Sequence, residues 1–420
     1  MAEASMTGAS MTTAGAIPMP GRHFLQIPGP TNVPDRILRA MDMPTIDHRG
    51  PHFAELGARV LDKVRGAFGT TSPVIIYPGS GTGAWEAALV NALRPGDLAL
   101  MVETGHFATL WKTMAEKLGV ETEFLETDWR RGADPDAIER RLRADGERRI
   151  KAVCVVHNET STGCKSRIGE VRAAMDAAGH PALLMVDTIS SLGSMEYRHD
   201  AWGVDVTVGG SQKGLMLPPG LSFNAVSDKA REAARGGGMP RSYFDWEDHI
   251  AANAGGSFPY TPATNLLYGL DEALRMLEEE GYARVFARHD RHAEATRAAV
   301  EHWGSGGNEG VEVLCREPKD HSSSLTAVLM PEGFDADAFR AVVLEHCNMS
   351  LGNGLSKLKG RVFRIGHLGD FNDLMLMGTL AGVEMGLRRF GVPHEAGGVL
   401  AAMDVLTRDA EGIRRREAAA

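Results

Sequence analysis

The chain has 420 residues, 43% of them hydrophobic, and 45 Lys and Arg against 55 Asp and Glu give a formal net charge of −10. At roughly 100–200 residues per domain this is two or three domains with sizeable cores, and the acidic balance without a basic block excludes a nucleic-acid or anionic-membrane surface as the main function. Apolar runs such as Val153–Val156 and Ala182–Val186 stop far short of the ~18 residues of a membrane span, so no membrane partner is expected.

Residues 1–22, rich in Ala, Ser, Thr, Met and Gly, lack both a basic start and an apolar stretch, and read as a disordered leader, not a secretion signal. His48 and His52 have metal-like spacing, but Gly50 and Pro51 between them break the helix that would align them, so no metal is expected. From about residue 73, the apolar runs Val74–Tyr77, Leu98–Glu103, Val153–Val156, Leu183–Val186 and Val204–Val208 alternate with the helical patterns Ala84–Leu93, Leu110–Leu118 and Ile168–Ala178. Near-continuous apolar strands separated by helices predict an α/β fold, a mostly parallel sheet covered on both faces, with sites at the carboxyl ends of its strands.

Between Ala230 and Thr264 the periodicity lapses into Gly, Pro and aromatic residues, as in a long functional loop or interface segment. A helical pattern then runs from Leu266 to Trp303, interrupted near Gly281. Strand-like Leu325–Met330 and Val362–Ile365 and helical Ala336–Glu345 and Leu374–Arg388 suit a smaller α+β domain. The expected division is a leader over 1–22, a large domain over 23–281, a small domain over 282–400 and a C-terminal tail over 401–420, whose Ala-rich last residues should fray. Cys154, Cys164, Cys315 and Cys347 form no CxxC pair, which fits a reducing cytoplasm better than a disulfide framework or a zinc site.

Three features carry chemistry. Pro78-Gly79-Ser80-Gly81-Thr82-Gly83 opens directly into a helix, whose free N–H groups and positive dipole end make an anion cradle; the alternative is a Gly-rich turn capped by Ser and Thr. The strand Leu183–Val186 runs into Asp187, a carboxylate that is costly to bury without a partner such as a protonated ring nitrogen, or else a turn cap. Lys213, in Gly210-Ser211-Gln212-Lys213-Gly214, precedes the apolar Leu215–Pro219, where desolvation would make its amine nucleophilic, although a lone lysine is ordinarily solvated. A phosphate cradle, an acid and a lysine at strand ends, in that order, are what pyridoxal phosphate requires.

With Pro28-Gly29-Pro30-Thr31-Asn32, His157-Asn158-Glu159-Thr160-Ser161-Thr162-Gly163 and Phe363-Arg364-Ile365-Gly366-His367, these motifs make the chain resemble the class V aminotransferases, nearest their serine–glyoxylate and alanine–glyoxylate group, from about Phe24 to about residue 400. The resemblance implies the pyridoxal-phosphate fold-type I, aspartate aminotransferase-like, with Lys213 as the lysine that carries the cofactor and Asp187 as the partner of its pyridine nitrogen. It implies that Ser80, Gly81, Thr82 and Gln212 hold the phosphate, that Thr160 bonds the ring hydroxyl with Ser190 beside it, and that Phe107 stacks on the ring. Arg364 would clasp the substrate α-carboxylate in two parallel hydrogen bonds, next to Gly29. Thr261 would reach the phosphate of a neighbouring subunit, which implies a homodimer with shared sites.

The function implied is transamination of a small amino acid, serine foremost, with glyoxylate, giving hydroxypyruvate and glycine. Alanine or aspartate and hydroxyaspartate are alternative donors, and Arg49 is the candidate second cation for the acidic ones. Two rivals remain at this level. A cysteine desulfurase would need a mobile cysteine, for which Cys347 is the candidate, and a non-catalytic scaffold would need none of these groups.

Overall fold

The computed structural model describes residues 20–306 and 310–417. The expected leader therefore lies, but for its last three residues, outside the described residues. The chain enters through β1 (Phe24–Gln26), α1 (Asp35–Met41) and α2 (Pro51–Phe68), where His52 joins the helix and His48 stays outside it. Strands and helices then alternate as β2 (Val74–Gly79), α3 (Gly81–Ala92), β3 (Leu98–Val102), α4 (His106–Lys117), β4 (Glu121–Leu125), α5 (Pro135–Ala144) and β5 (Ile150–Val156). A short hairpin of β6 (Asn158–Glu159) and β7 (Cys164–Lys165) leads to α6 (Ile168–Ala177), β8 (Leu183–Asp187), β9 (Val206–Gly210) and β10 (Gly220–Val226).

These strands build a seven-stranded sheet in the order β2-β10-β9-β8-β5-β3-β4. Contacts from β9 through β4 are parallel, and β10 runs antiparallel to both of its neighbours. The sheet is apolar along its strands because both faces are covered. Trp85, Trp111 and Ala230 pack on one face, and Ile138, Leu142 and Val171 on the other.

The Gly-rich and aromatic stretch after β10 is not a single loop, because it contains α7 (Asp228–Arg235) and α8 (Trp246–Asn253), the latter anchored by fully buried Trp246. The predicted break near Gly281 is real: α9 (Thr264–Glu280) and α10 (Tyr282–Gly304) meet there at φ +83°, a backbone angle that suits glycine. Beyond them come β11 (Glu312–Val313), β12 (Leu325–Leu329), α11 (Ala336–Cys347), β13 (Met349–Asn353), β14 (Val362–Gly366), α12 (Asp373–Phe390) and α13 (Gly398–Glu417).

A second sheet has the order β1-β13-β14-β12-β11. It packs on α10, α11 and α12 around Trp303, Phe339, Phe363 and Leu380. Its first strand comes from the chain entrance, since Phe24–Gln26 pairs in parallel with Met349–Leu351. Helix α13 carries the chain into the segment set apart as a tail, because Ala402, Val405 and Leu406 fall on one helical face and are buried in this second core, and the Ala-rich last residues 418–420 lie outside the described residues.

Candidate active site

Carboxyl ends of β2, β5, β8 and β9 converge on a cavity of about 130 Å³. Nine residues anticipated from sequence line it: Ser80, Gly81, Thr82, Phe107, Thr160, Asp187, Ser190, Gln212 and Lys213. Trp85, Val156, Asn158 and Ile189 complete the wall.

One end of the cavity is the start of α3. Ser80 occupies its N-cap with extended backbone, and its hydroxyl makes no capping bond, so the first-turn N–H groups and that hydroxyl face the cavity. Gly81 is required by packing, since a Cβ there would run into the side chain of Ile189.

Asp187 ends β8 and is buried. Its Oδ1 accepts from the Ile189 backbone N–H at 2.7 Å, and its Oδ2 from Trp85 Nε1 at 3.0 Å. Burial nevertheless pushes its pKa up to about 7, with the nearby Glu159 carboxylate adding to the effect. Two hydrogen bonds do not replace lost water, so this carboxylate has capacity left for a cationic partner.

Lys213 follows β9 in a turn held by Thr31 Oγ1, which donates to the Lys213 carbonyl at 3.2 Å, and by the Met216 N–H at 2.9 Å. Its ammonium donates to the Pro28 carbonyl. Burial, helped by Arg364, lowers its pKa to about 7, and Asp187 opposes the shift. Gly29, at φ +95°, explains how the amine is accommodated: a Cβ there would lie 2.6 Å from Nζ. An amine that loses its proton near neutrality can act as nucleophile or base.

Thr160 and Phe107 are brought together through buried Glu159, whose carboxylate accepts from the backbone N–H groups of Phe107 at 3.3 Å, Ala108 at 3.1 Å and Ser161 at 3.0 Å. Arg364, on β14, is only 6% exposed. Its Nη1 donates to the Thr160 carbonyl and its Nε to the Asn353 carbonyl, both at 2.8 Å. Burial lowers its pKa to about 10, against the attraction of Glu159. The guanidinium is thus fixed at the cavity margin with its remaining N–H groups free for an anion.

Of the four other anticipated residues, Gly29 and Arg364 stand behind the wall, against Lys213 and the Thr160 carbonyl, while Arg49 and Thr261 are not brought to it. Arg49 is exposed and its backbone N–H bonds Asp47 at 2.9 Å, while Thr261 is exposed beside Tyr260, whose hydroxyl donates to the Ile76 carbonyl. Cys347 ends α11 with its thiol 3.8 Å from the Gly382 carbonyl, packed against α12 and away from the cavity, which removes the desulfurase nucleophile. Sequence reasoning missed Trp85, Asn158 and Glu159. Helical spacing from Gly81 to Trp85 was the available signal for the first, and the His157–Gly163 motif for the other two.

The residues present fit pyridoxal phosphate. A helix N-terminus suits its phosphate, a carboxylate with spare capacity suits a ring nitrogen, and a neutralisable amine stands between them. Asn158 Oδ1 and Gln212 Oε1, both buried and without a partner, add polar capacity on the same walls. Among the described residues no cluster of His, Cys, Asp and Glu could hold a metal ion, and no helix is long and apolar enough to cross a membrane.

Comparison with known proteins gives consistent findings. A family model described as "Aminotransferase class-V" matches residues 23–355. The serine–glyoxylate aminotransferase of Methylorubrum extorquens is 48% identical over 398 residues, covering 92% of this chain and 96% of that protein. The L-aspartate–glyoxylate aminotransferase of Paracoccus denitrificans is 42% identical over 402 residues, covering 96% and 100%. Among solved structures, pyridoxamine–pyruvate aminotransferase from Mesorhizobium loti superposes with a TM-score of 0.85 at 28% identity, over 92% of this chain and 97% of that one.

Proposed function

We propose a reaction from one premise: this chain belongs to the class V aminotransferases. Its cofactor is pyridoxal 5′-phosphate, and its reaction is transfer of an amino group from an amino acid to a 2-oxo acid. The donor we infer is serine and the acceptor glyoxylate, so that the products are hydroxypyruvate and glycine. The observation that carries this choice is the 48% identity to the Methylorubrum enzyme over nearly the full length of both chains.

In this reading Lys213 holds the cofactor, Asp187 faces the pyridine nitrogen, and Ser80, Gly81, Thr82 and Gln212 hold the phosphate. Thr160 and Ser190 take the ring-hydroxyl edge and Phe107 covers the ring. When bound, the cofactor supplies a carbonyl carbon that takes up the amino group and a ring that accepts electrons from the substrate α-carbon. Arg364 binds the α-carboxylate of both amino and oxo acids through its planar fork, next to Gly29. The Lys213 amine, neutral above about pH 7, then takes the proton from the substrate α-carbon. Asp187, charged opposite a protonated ring nitrogen, keeps that proton in place.

A homodimer sharing its sites through Thr261 agrees with the exposure of that residue in a single chain, and a cytoplasmic home agrees with the four free cysteines. A second reading, an aspartate-type donor, is favoured by the Paracoccus relative, and exposed Arg49 would be its added cation. Single half-reactions test the proposal. Serine alone should bleach the near-visible absorbance of the holoenzyme and release one equivalent of hydroxypyruvate, and glyoxylate should restore the absorbance. Holoenzyme that serine leaves unchanged would refute serine as donor.

A further inference from the structure

A second cavity, of about 420 Å³, shares no lining residue with the active-site cavity. One wall is the turn from β7 into α6 together with Met195, Glu196 and Trp202, and the other is Asp290 of α10 with Ser323, just before β12. The two cavities lie back to back. His157 lines the second one, its backbone N–H donates to the Asp187 carbonyl at 2.9 Å, and the next residue, Asn158, lines the first.

Several polar groups on these walls lack protein partners. Arg167 is neutralised by Glu170, at 2.7 Å, and by Asp320, and Glu196 pairs with Arg198. Among the described residues, however, no carboxylate pairs with the Lys165 ammonium, and no cation pairs with the Asp290 carboxylate, which accepts from the Ser323 hydroxyl. Helix α6 adds donors: Arg167 at its N-cap makes no side-chain capping bond, so the N–H groups of Ile168 and Gly169 stay open at the positive end of the helix. His157, only 2% exposed, supplies an acceptor. Its Nδ1 bonds Ser191 Oγ at 2.9 Å, and that hydroxyl donates to the Thr188 carbonyl at 3.3 Å, so Nδ1 carries the proton. Nε2 is left as a lone-pair acceptor with no partner among the described residues. Burial, helped by Lys165, lowers the ring's pKa to about 3 and keeps it neutral. The rest of the wall is apolar. Trp202 is held edge-on by Tyr197, with centroids 5.4 Å apart, and by His157 at 5.9 Å, and Met195 and Ile168 flank it.

We propose that this cavity binds a free α-amino acid with an apolar side chain, its carboxylate on Lys165 and the α6 N-terminus and its ammonium on Asp290 and His157 Nε2. The side chain lies against Trp202 and Met195. One cation and one carboxylate, each without an ionic partner, match a zwitterion, whereas a simple anion would leave Asp290 opposing it. A ligand N–H also relieves the buried acceptor on His157, which is costly to leave unpaired. This inference is independent of the donor proposed above, because none of these residues belongs to the cofactor or carboxylate site.

Calorimetric titration of the intact holoenzyme with phenylalanine, leucine and methionine tests it. At least one should bind with one equivalent per chain. Lys165→Gln and Asp290→Asn should each weaken that binding by about 10-fold or more, the size of one hydrogen bond to a charged group, while turnover measured without the added amino acid stays unchanged. With the unaltered enzyme, 3-phenylpropionate, which lacks the ammonium, and phenethylamine, which lacks the carboxylate, should both bind about 10-fold or more weakly than phenylalanine. No binding by any of the three amino acids, binding that neither variant weakens, or equal binding of 3-phenylpropionate would overturn the inference.

Discussion

Burial brings Asp187 and Lys213 to nearly the same pKa from opposite sides, and the cofactor-free protein should show it. Asp187 binds its proton more tightly folded than unfolded, because its pKa rises from 3.8 to about 7. Its burial therefore costs nothing below about pH 4, and the penalty grows as pH rises and is complete above about pH 7. Lys213 runs the other way: its pKa falls from 10.5 to about 7, so the penalty is complete below about pH 7 and fades as pH rises through 10.5. Asp187→Asn should thus raise the melting temperature of cofactor-free protein at pH 8 by several degrees, with no difference near pH 4, as thermal melts would show. The same change should reduce holoenzyme turnover by on the order of 10²–10³, since an amide cannot replace a preorganised charge. Arg364→Lys should raise KM for donor and acceptor alike, measured in the separate half-reactions, because a point charge replaces a fork already fixed by the Thr160 and Asn353 carbonyls. An effect confined to one half-reaction would remove Arg364 from the shared carboxylate role.

At the level of elements, α3 does more than present its N-terminus. Its second turn places Trp85 to donate to Asp187, and the indole stacks on Trp111 of α4 with centroids 6.0 Å apart and planes 12° apart. Trp85→Phe keeps an aromatic ring in that stack and removes only the N–H. Turnover at pH 7 should fall by roughly 10-fold, the size of one hydrogen bond to a charged group, with a pH–rate profile displaced to higher pH. An unchanged profile would show that the indole N–H does not support the carboxylate. This contact was not legible in the sequence, where periodicity places Trp85 in the core and says nothing of its N–H. The strands that carry Asp187 and Lys213 were legible because burial on both faces leaves them continuously apolar. Edge strand β4, Glu-Thr-Glu-Phe-Leu, lacks that mark, and three-residue β1 takes its pairing from residues more than 300 positions away. Helices α7 and α8 were read as loop because each is short and flanked by Gly and Pro.

Over the whole molecule, the two sheets are joined next to the cavity by side chains from both. Lys357 pairs with Glu103 at 2.6 Å, Asn158 Nδ2 donates to Ser324 Oγ at 2.9 Å, and Arg364 bonds the Thr160 carbonyl. Arg364, the proposed carboxylate clamp, is therefore placed by the docking of one sheet on the other, a relation that no local motif encodes. The exposed Thr261 belongs to the same scale. If it completes a neighbouring site, sedimentation should give a dimer, and Thr261→Ala should weaken cofactor retention without changing that dimer. A monomeric holoenzyme with full activity would remove Thr261 from the site.

The central claim, serine-dependent amination of glyoxylate, is tested most directly by kcat/KM for serine, alanine and aspartate, each measured with glyoxylate as acceptor. The account predicts that serine gives the highest value, with glycine and hydroxypyruvate formed in equal amounts. A higher value for aspartate, abolished by Arg49→Ala while serine turnover is retained, would contradict the donor assignment, and no glycine from any of the three would contradict the claim as a whole.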